Sequence, residues 1–185
     1  MMKIIFKTAT ILVVGGVLLL TLTATPARSF SHEPIHHRLQ IEFEPVTRVA
    51  KIKDRVQLKT SPRNCGPFVF YLNSGLKLSR YQLAPGWQLK TGAEKDKGSR
   101  LSKIEVIKNS SASCPETFSM LLDYSGVLHD PDDTTASSGF FFSGDSYFYP
   151  QIKDPFSLLT FSMQVSLPKP WQAVSQGQRI EAKVS

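Results

Sequence analysis

The chain has 185 residues, 41% of them hydrophobic, which is enough to bury a core and too apolar for wholesale disorder. Its formal net charge is +7, but the basic residues are spread along the chain, often beside acids as in Glu94-Lys95-Asp96-Lys97. No basic run interleaves with aromatics, so the charge argues against a nucleic-acid partner and for a solvated basic surface.

The first residues read as a targeting segment. Lys3 and Lys7 precede an uncharged apolar stretch from Thr8 to Ala24, and Thr25-Pro26-Ala27 then sets small residues where a signal peptidase would cut. This is the order of a secretory signal, so residues 1–27 are expected to be a signal peptide, cleaved after Ala27, and the product periplasmic or extracellular. The apolar stretch of about 17 residues is at the lower edge of what spans a bilayer. An uncleaved anchor over residues 4–24 is the alternative, with membrane contact confined to that segment.

His32-Glu33-Pro34-Ile35-His36 satisfies the HExxH pattern literally. In zinc proteases the pattern works because a helix puts both histidines on one face. Here Pro34 opposes a helix, no helical period surrounds it, and no third ligand follows on a second helix. An accidental match is the reading, and His36-His37 reads as a solvated strand entry.

Period-two alternation then dominates. Leu39, Ile41 and Phe43 share one face; Ile52, Val56 and Leu58 share another, interrupted by Asp54. Phe68, Phe70 and Leu72 alternate up to Asn73-Ser74-Gly75, and Ile104 with Val106 flank Glu105. Phe118, Met120, Leu122 and Tyr124 run to a turn at Ser125-Gly126. An aromatic run from Phe140 to Tyr149 follows, and Leu159, Phe161, Met163, Val165 and Leu167 alternate strictly. Ala84-Pro85-Gly86, Gly92, Gly98 and Asp130-Pro131-Asp132-Asp133 separate the runs. The expected fold is all-β: one domain built as an antiparallel sandwich or a large curved sheet, preceded by a signal-peptide helix.

The two cysteines, Cys65 and Cys114, lie in loop-like contexts, and no CxxC pair exists to favour a metal. In an oxidising compartment an even count points to one Cys65–Cys114 disulfide, with two free structural thiols as the alternative. His129-Asp130-Pro131-Asp132-Asp133 lacks the glycine and distal glutamate of a calcium loop and reads as a polar loop. There is no GxSxG, no glycine-rich phosphate loop and no cysteine beside an activating group. The residues supply no complete active site, so catalytic, cofactor-binding and metal residues are all expected to be absent from this chain.

One segment carries a resemblance. Tyr147-Phe148-Tyr149-Pro150-Gln151-Ile152-Lys153-Asp154-Pro155 is followed by Leu159-Thr160-Phe161, by Pro168 and by Ala173-Val174-Ser175-Gln176-Gly177. This resembles the closing part of the N-terminal domain of the aminopeptidase N family of zinc metallopeptidases. That family has R-x-x-F-P-C-x-D-E-P, then K-A-T-F-x-L-x-V-x-x-P, then A-[VL]-S-N-G. Pro150, Pro155, Thr160, Phe161, Pro168, Ser175 and Gly177 fall in register as structural motif positions, and Tyr124-Ser125-Gly126 stands where the family has Y-x-G.

The resemblance implies a saddle-like β domain over residues 28–185 that packs on a metallopeptidase catalytic domain and helps to position peptide. It also implies departures: Gln151 replaces the family's Cys, Lys153 and Asp154 replace its paired acids, and its substrate-facing Gln would fall at Gly139. An outlying bacterial branch fits best. The family's GxMEN loop and zinc helix would lie beyond Ser185, so zinc is expected only in a catalytic domain outside this chain, which reads as truncated. The rival expectation is an independent extracellular binding module with Trp87, Tyr147 and Trp171 lining one exposed face.

Overall fold

The computed structural model describes residues 34–62, 65–94, 100–128, 142–153, 158–175 and 178. Alternating sequences become strands throughout: β1 (Ile35–Glu44), β2 (Val49–Lys59), β3 (Phe68–Asn73), β4 (Leu76–Gln82), β5 (Trp87–Ala93), β6 (Leu101–Lys108), β7 (Thr117–Val127) and β8 (Leu159–Ser166). The described helical structure is one 3₁₀ turn, Gly144–Ser146. The expected leader and the His129–Asp133 loop lie outside the described residues.

Two sheets form. The larger has the order β4-β7-β2-β1-β8 and the smaller β3-β6-β5. Among the described residues all pairings are antiparallel except β1 with β8, which run parallel with Ile35 opposite Leu159 and Glu42 opposite Ser166. The alternation explains the burial: Leu39, Ile41, Phe43, Ala50, Ile52, Val56, Phe118, Met120 and Leu122 fill the inner face of the larger sheet, each under 7% exposed. Phe68, Phe70, Leu72, Ile104 and Val106 answer from the smaller sheet and join the same core.

The sheets meet through an aromatic trio. Phe68 stacks on Trp87 with centroids 5.7 Å apart, and Phe118 tilts against Trp87 at 4.5 Å. At that end Cys65 and Cys114 stand at disulfide-bonding distance with Cα atoms 5.9 Å apart, tying the chain before β3 to the chain before β7. Gly66, next to Cys65, has φ +76, and an added Cβ would sit 3.3 Å from the Trp87 ring.

Two expectations are corrected. Ser125-Gly126 does not end a strand: β7 continues to Val127, with Gly126 opposite both Ala50 and Leu76. Glycine is needed because β4 approaches so closely that a Cβ at Gly126 would lie 2.0 Å from the Gly75 carbonyl oxygen. Gly92 does not separate two runs either, because it lies inside β5 opposite Lys103. The described part of the aromatic run, Phe142 to Tyr149, holds the 3₁₀ turn. Ser143 caps the 3₁₀ turn through a capping box, and Tyr147 ends it in the left-handed region at φ 47.

Candidate functional site

The 142–151 segment is clamped to the open edge of β3. Asn73 N–H donates to the Tyr147 carbonyl at 2.8 Å, Asn73 Nδ2 to the Ser146 carbonyl at 3.0 Å, and Tyr71 and Gln151 exchange backbone bonds of 2.7 and 2.9 Å. Gln151, where the resemblance places a cysteine, thus extends the sheet by one bridge. The clamp lays the aromatics over β1: Phe142 meets Phe43 edge-on at 5.1 Å, Phe148 follows, and the Tyr149 ring lies 5.1 Å from His37.

There the core turns polar. His37 is fully buried and Asp54 is 1% exposed. They sit diagonally on adjacent strands, since His37 is opposite Val56 while Asp54 is opposite Leu39. His37 Nδ1 lies 2.8 Å from Asp54 Oδ2, close enough to share one proton. Tyr124 is buried on the neighbouring β7, and its hydroxyl, His37 Nε2 and Asp54 Oδ1 have no hydrogen-bond partner.

Burial raises the Asp54 carboxyl above its ordinary value of 3.8, against the lowering effect of the His37 hydrogen bond and charge. Burial and the nearby Asp54 charge push the Tyr124 phenol well above 10.0 and raise Tyr149. These phenols stay neutral donors. Sequence reasoning registered Asp54 only as a break in an apolar face and placed His37 in solvent. Both lie on the inward register of their strands, and that parity was the signal that could have paired them.

The remaining expected positions scatter along the last described strand and its approach. Pro150 is buried, whereas Pro155 and Gly177 lie outside the described residues. Thr160 and Phe161 are on β8, where Thr160 Oγ1 lies 2.9 Å from His36 Nδ1 and Phe161 is 48% exposed. Pro168 and Ser175 are exposed beyond β8. Lys153 bridges the Tyr71 ring at 4.4 Å and Glu94 at 3.5 Å.

His32 and Glu33 lie outside the described residues, and Ile35 and His36 open a β-strand, which is not the helical arrangement HExxH chemistry uses. Among the described residues no group of three or more His, Cys, Asp or Glu side chains could hold a metal ion. The exposed aromatic platform is not formed: Trp87 is 7% exposed and stacked in the core, because its strand sends that position inward.

No protein-family model and no curated protein matches the sequence. Solved structures do. Native yeast LTA4 hydrolase aligns over 77% of this chain and 24% of its own, at 14% identity and a TM-score of 0.53. Its complex with bestatin aligns with a TM-score of 0.52 at 15% identity, again over 77% of this chain and 24% of that one. An M1 zinc metallopeptidase from Deinococcus radiodurans aligns over 80% of this chain and 36% of its own, at 15% identity and a TM-score of 0.46. The chain therefore spans about a quarter of the yeast enzyme and about a third of the bacterial one. At these identities the likeness is one of fold, and the fold is the β architecture that the 147–177 resemblance implied.

Proposed function

We propose that this chain is an exported, non-catalytic β domain that packs on a zinc-metallopeptidase catalytic domain, in the same chain or another, and helps to position peptide there. The observation that carries the packing is the apolar edge at β8. Leu158 and Phe161 are 60% and 48% exposed, and Phe161 is in register with buried His37 on the sheet's inner face. Among the described residues β8 pairs only with β1, so its outer edge offers backbone groups as well as apolar surface. The fold shared with yeast LTA4 hydrolase, over a quarter of that enzyme, supports a role as one part of a larger peptidase.

Two measurements test the reading. The purified chain should carry no stoichiometric zinc and should not hydrolyse alanine 4-nitroanilide. Chelator-sensitive turnover lost in Glu33→Gln would overturn the non-catalytic part. For packing, the DNA after codon 185 should encode an HExxH-bearing domain that co-purifies with this chain. Phe161→Asp with Leu158→Asp should break that association, and retention of the partner by this variant would remove β8 from the interface.

A further inference from the structure

The outward face of the larger sheet is built differently from its surroundings. Strand register sets Arg38 directly opposite Arg55 across β1 and β2. One row along, Lys53 is opposite Asp123, and Asp123 is also opposite Arg80 of β4. Arg38, Lys53, Arg55 and Arg80 are exposed, and none of the four side chains forms an ion pair or hydrogen bond among the described residues. Together they line a groove of about 450 Å³ whose lining also holds two carboxylates, half-buried Asp123 between Lys53 and Arg80 and buried Asp54, so four cations outnumber the acids. Like charges placed directly opposite each other cost a free sheet stability. An anion seated between them reverses that term, and two guanidinium forks suit carboxylates in particular.

The spacing narrows the choice of anion. The Arg38–Arg55 row and the Lys53–Arg80 row are two residues apart along the strands, roughly 6.8 Å. Alternate side chains of an extended peptide repeat at the same interval. Apart from half-buried Leu121, the facing positions carry no aliphatic residue that could enter a bilayer, and a concave groove fits a flat membrane poorly. From this geometry we infer that the groove between β1, β2, β7 and β4 binds an extended acidic peptide segment, with carboxylates at alternate positions on the Arg38–Arg55 and Lys53–Arg80 rows.

Fluorescence anisotropy with a labelled hexaglutamate peptide tests this on the full chain. Binding should saturate and weaken steeply with added salt, since the site is exposed. Arg38→Gln and Arg55→Gln should each weaken it about tenfold, the loss of one charge-assisted contact. Lys90→Gln on exposed β5 should leave binding and melting temperature unchanged, whereas Arg38→Gln and Arg55→Gln should keep or slightly raise the melting temperature of the free chain, because each relieves the Arg38–Arg55 repulsion. Failure of hexaglutamate to bind, or equal weakening by Lys90→Gln, would overturn the proposal. So would tighter binding to vesicles of phosphatidylglycerol and phosphatidylcholine, or to an oligothymidylate, than to the peptide. None of these outcomes depends on a peptidase partner.

Discussion

His37 and Asp54 meet because both take inward positions on antiparallel neighbours, in a core whose other inward positions are apolar. A buried pair of this kind is weak evidence for stability, since desolvation offsets most of the attraction, but removing one member strands the other. Asp54→Ala is expected to destabilise the fold by about 3 kcal/mol, and adding His37→Leu to recover part of that loss, as read by urea unfolding. The pH dependence follows from the raised Asp54 value. The folded chain holds this proton at pH values where the unfolded chain has released it, so stability falls as pH rises from 3.8 through the higher folded value. Asp54→Asn carries no such proton. Its stability relative to the parent should therefore climb across that window in denaturant titrations at stepped pH, and parallel curves would contradict the assignment.

At the scale of elements, the fold depends on joining two sheets that share no backbone ladder. The Phe68, Trp87 and Phe118 contacts do this at one end, and the 142–151 clamp does it beside His37. Cys65 and Cys114 reinforce the first junction across 49 residues of sequence. In the chain-entropy account, closing such a loop stabilises by about 4 kcal/mol. Cys114→Ser, made in an oxidising compartment, should lower unfolding free energy by about 2–4 kcal/mol. Thiol labelling of the unfolded, unreduced parent should find no reactive cysteine, and two labelled thiols would refute the bridge. Six of the eight described strands and their faces were legible in the sequence because a half-buried strand repeats every two residues. β4 and β5 were not, since neither alternates cleanly and Gly92 reads as a break although it pairs with Lys103 inside β5. The parallel β1–β8 pair was not legible, because alternation marks a face and carries no strand direction.

For the molecule as a whole, the proposed export rests on the expected leader over residues 1–27. The proposal predicts that exported protein begins at Arg28, because Thr25-Pro26-Ala27 offers small residues at the cleavage positions. Intact-mass measurement of exported material should show the loss of residues 1–27. Retention of Met1 to Ala27 would favour the anchor over residues 4–24. Among the described residues no helix is long and apolar enough to cross a membrane.

By itself the sequence determined the all-β class and the inward residues of most strands, and its 147–177 motif pointed to the fold shared with the yeast enzyme. These follow from local periodicity and from residue types at fixed spacing, which survive without knowledge of partners. Tertiary structure decided what depends on residues far apart in the chain. It turned His37 from a solvated position into the buried partner of Asp54, and it drew Trp87 from a supposed surface platform into the core. It also set Arg38 opposite Arg55, and Lys53 and Arg80 on either side of Asp123, along one groove. Each of these is a matter of register between strands, and register is set by the packing of whole faces and not by any one segment.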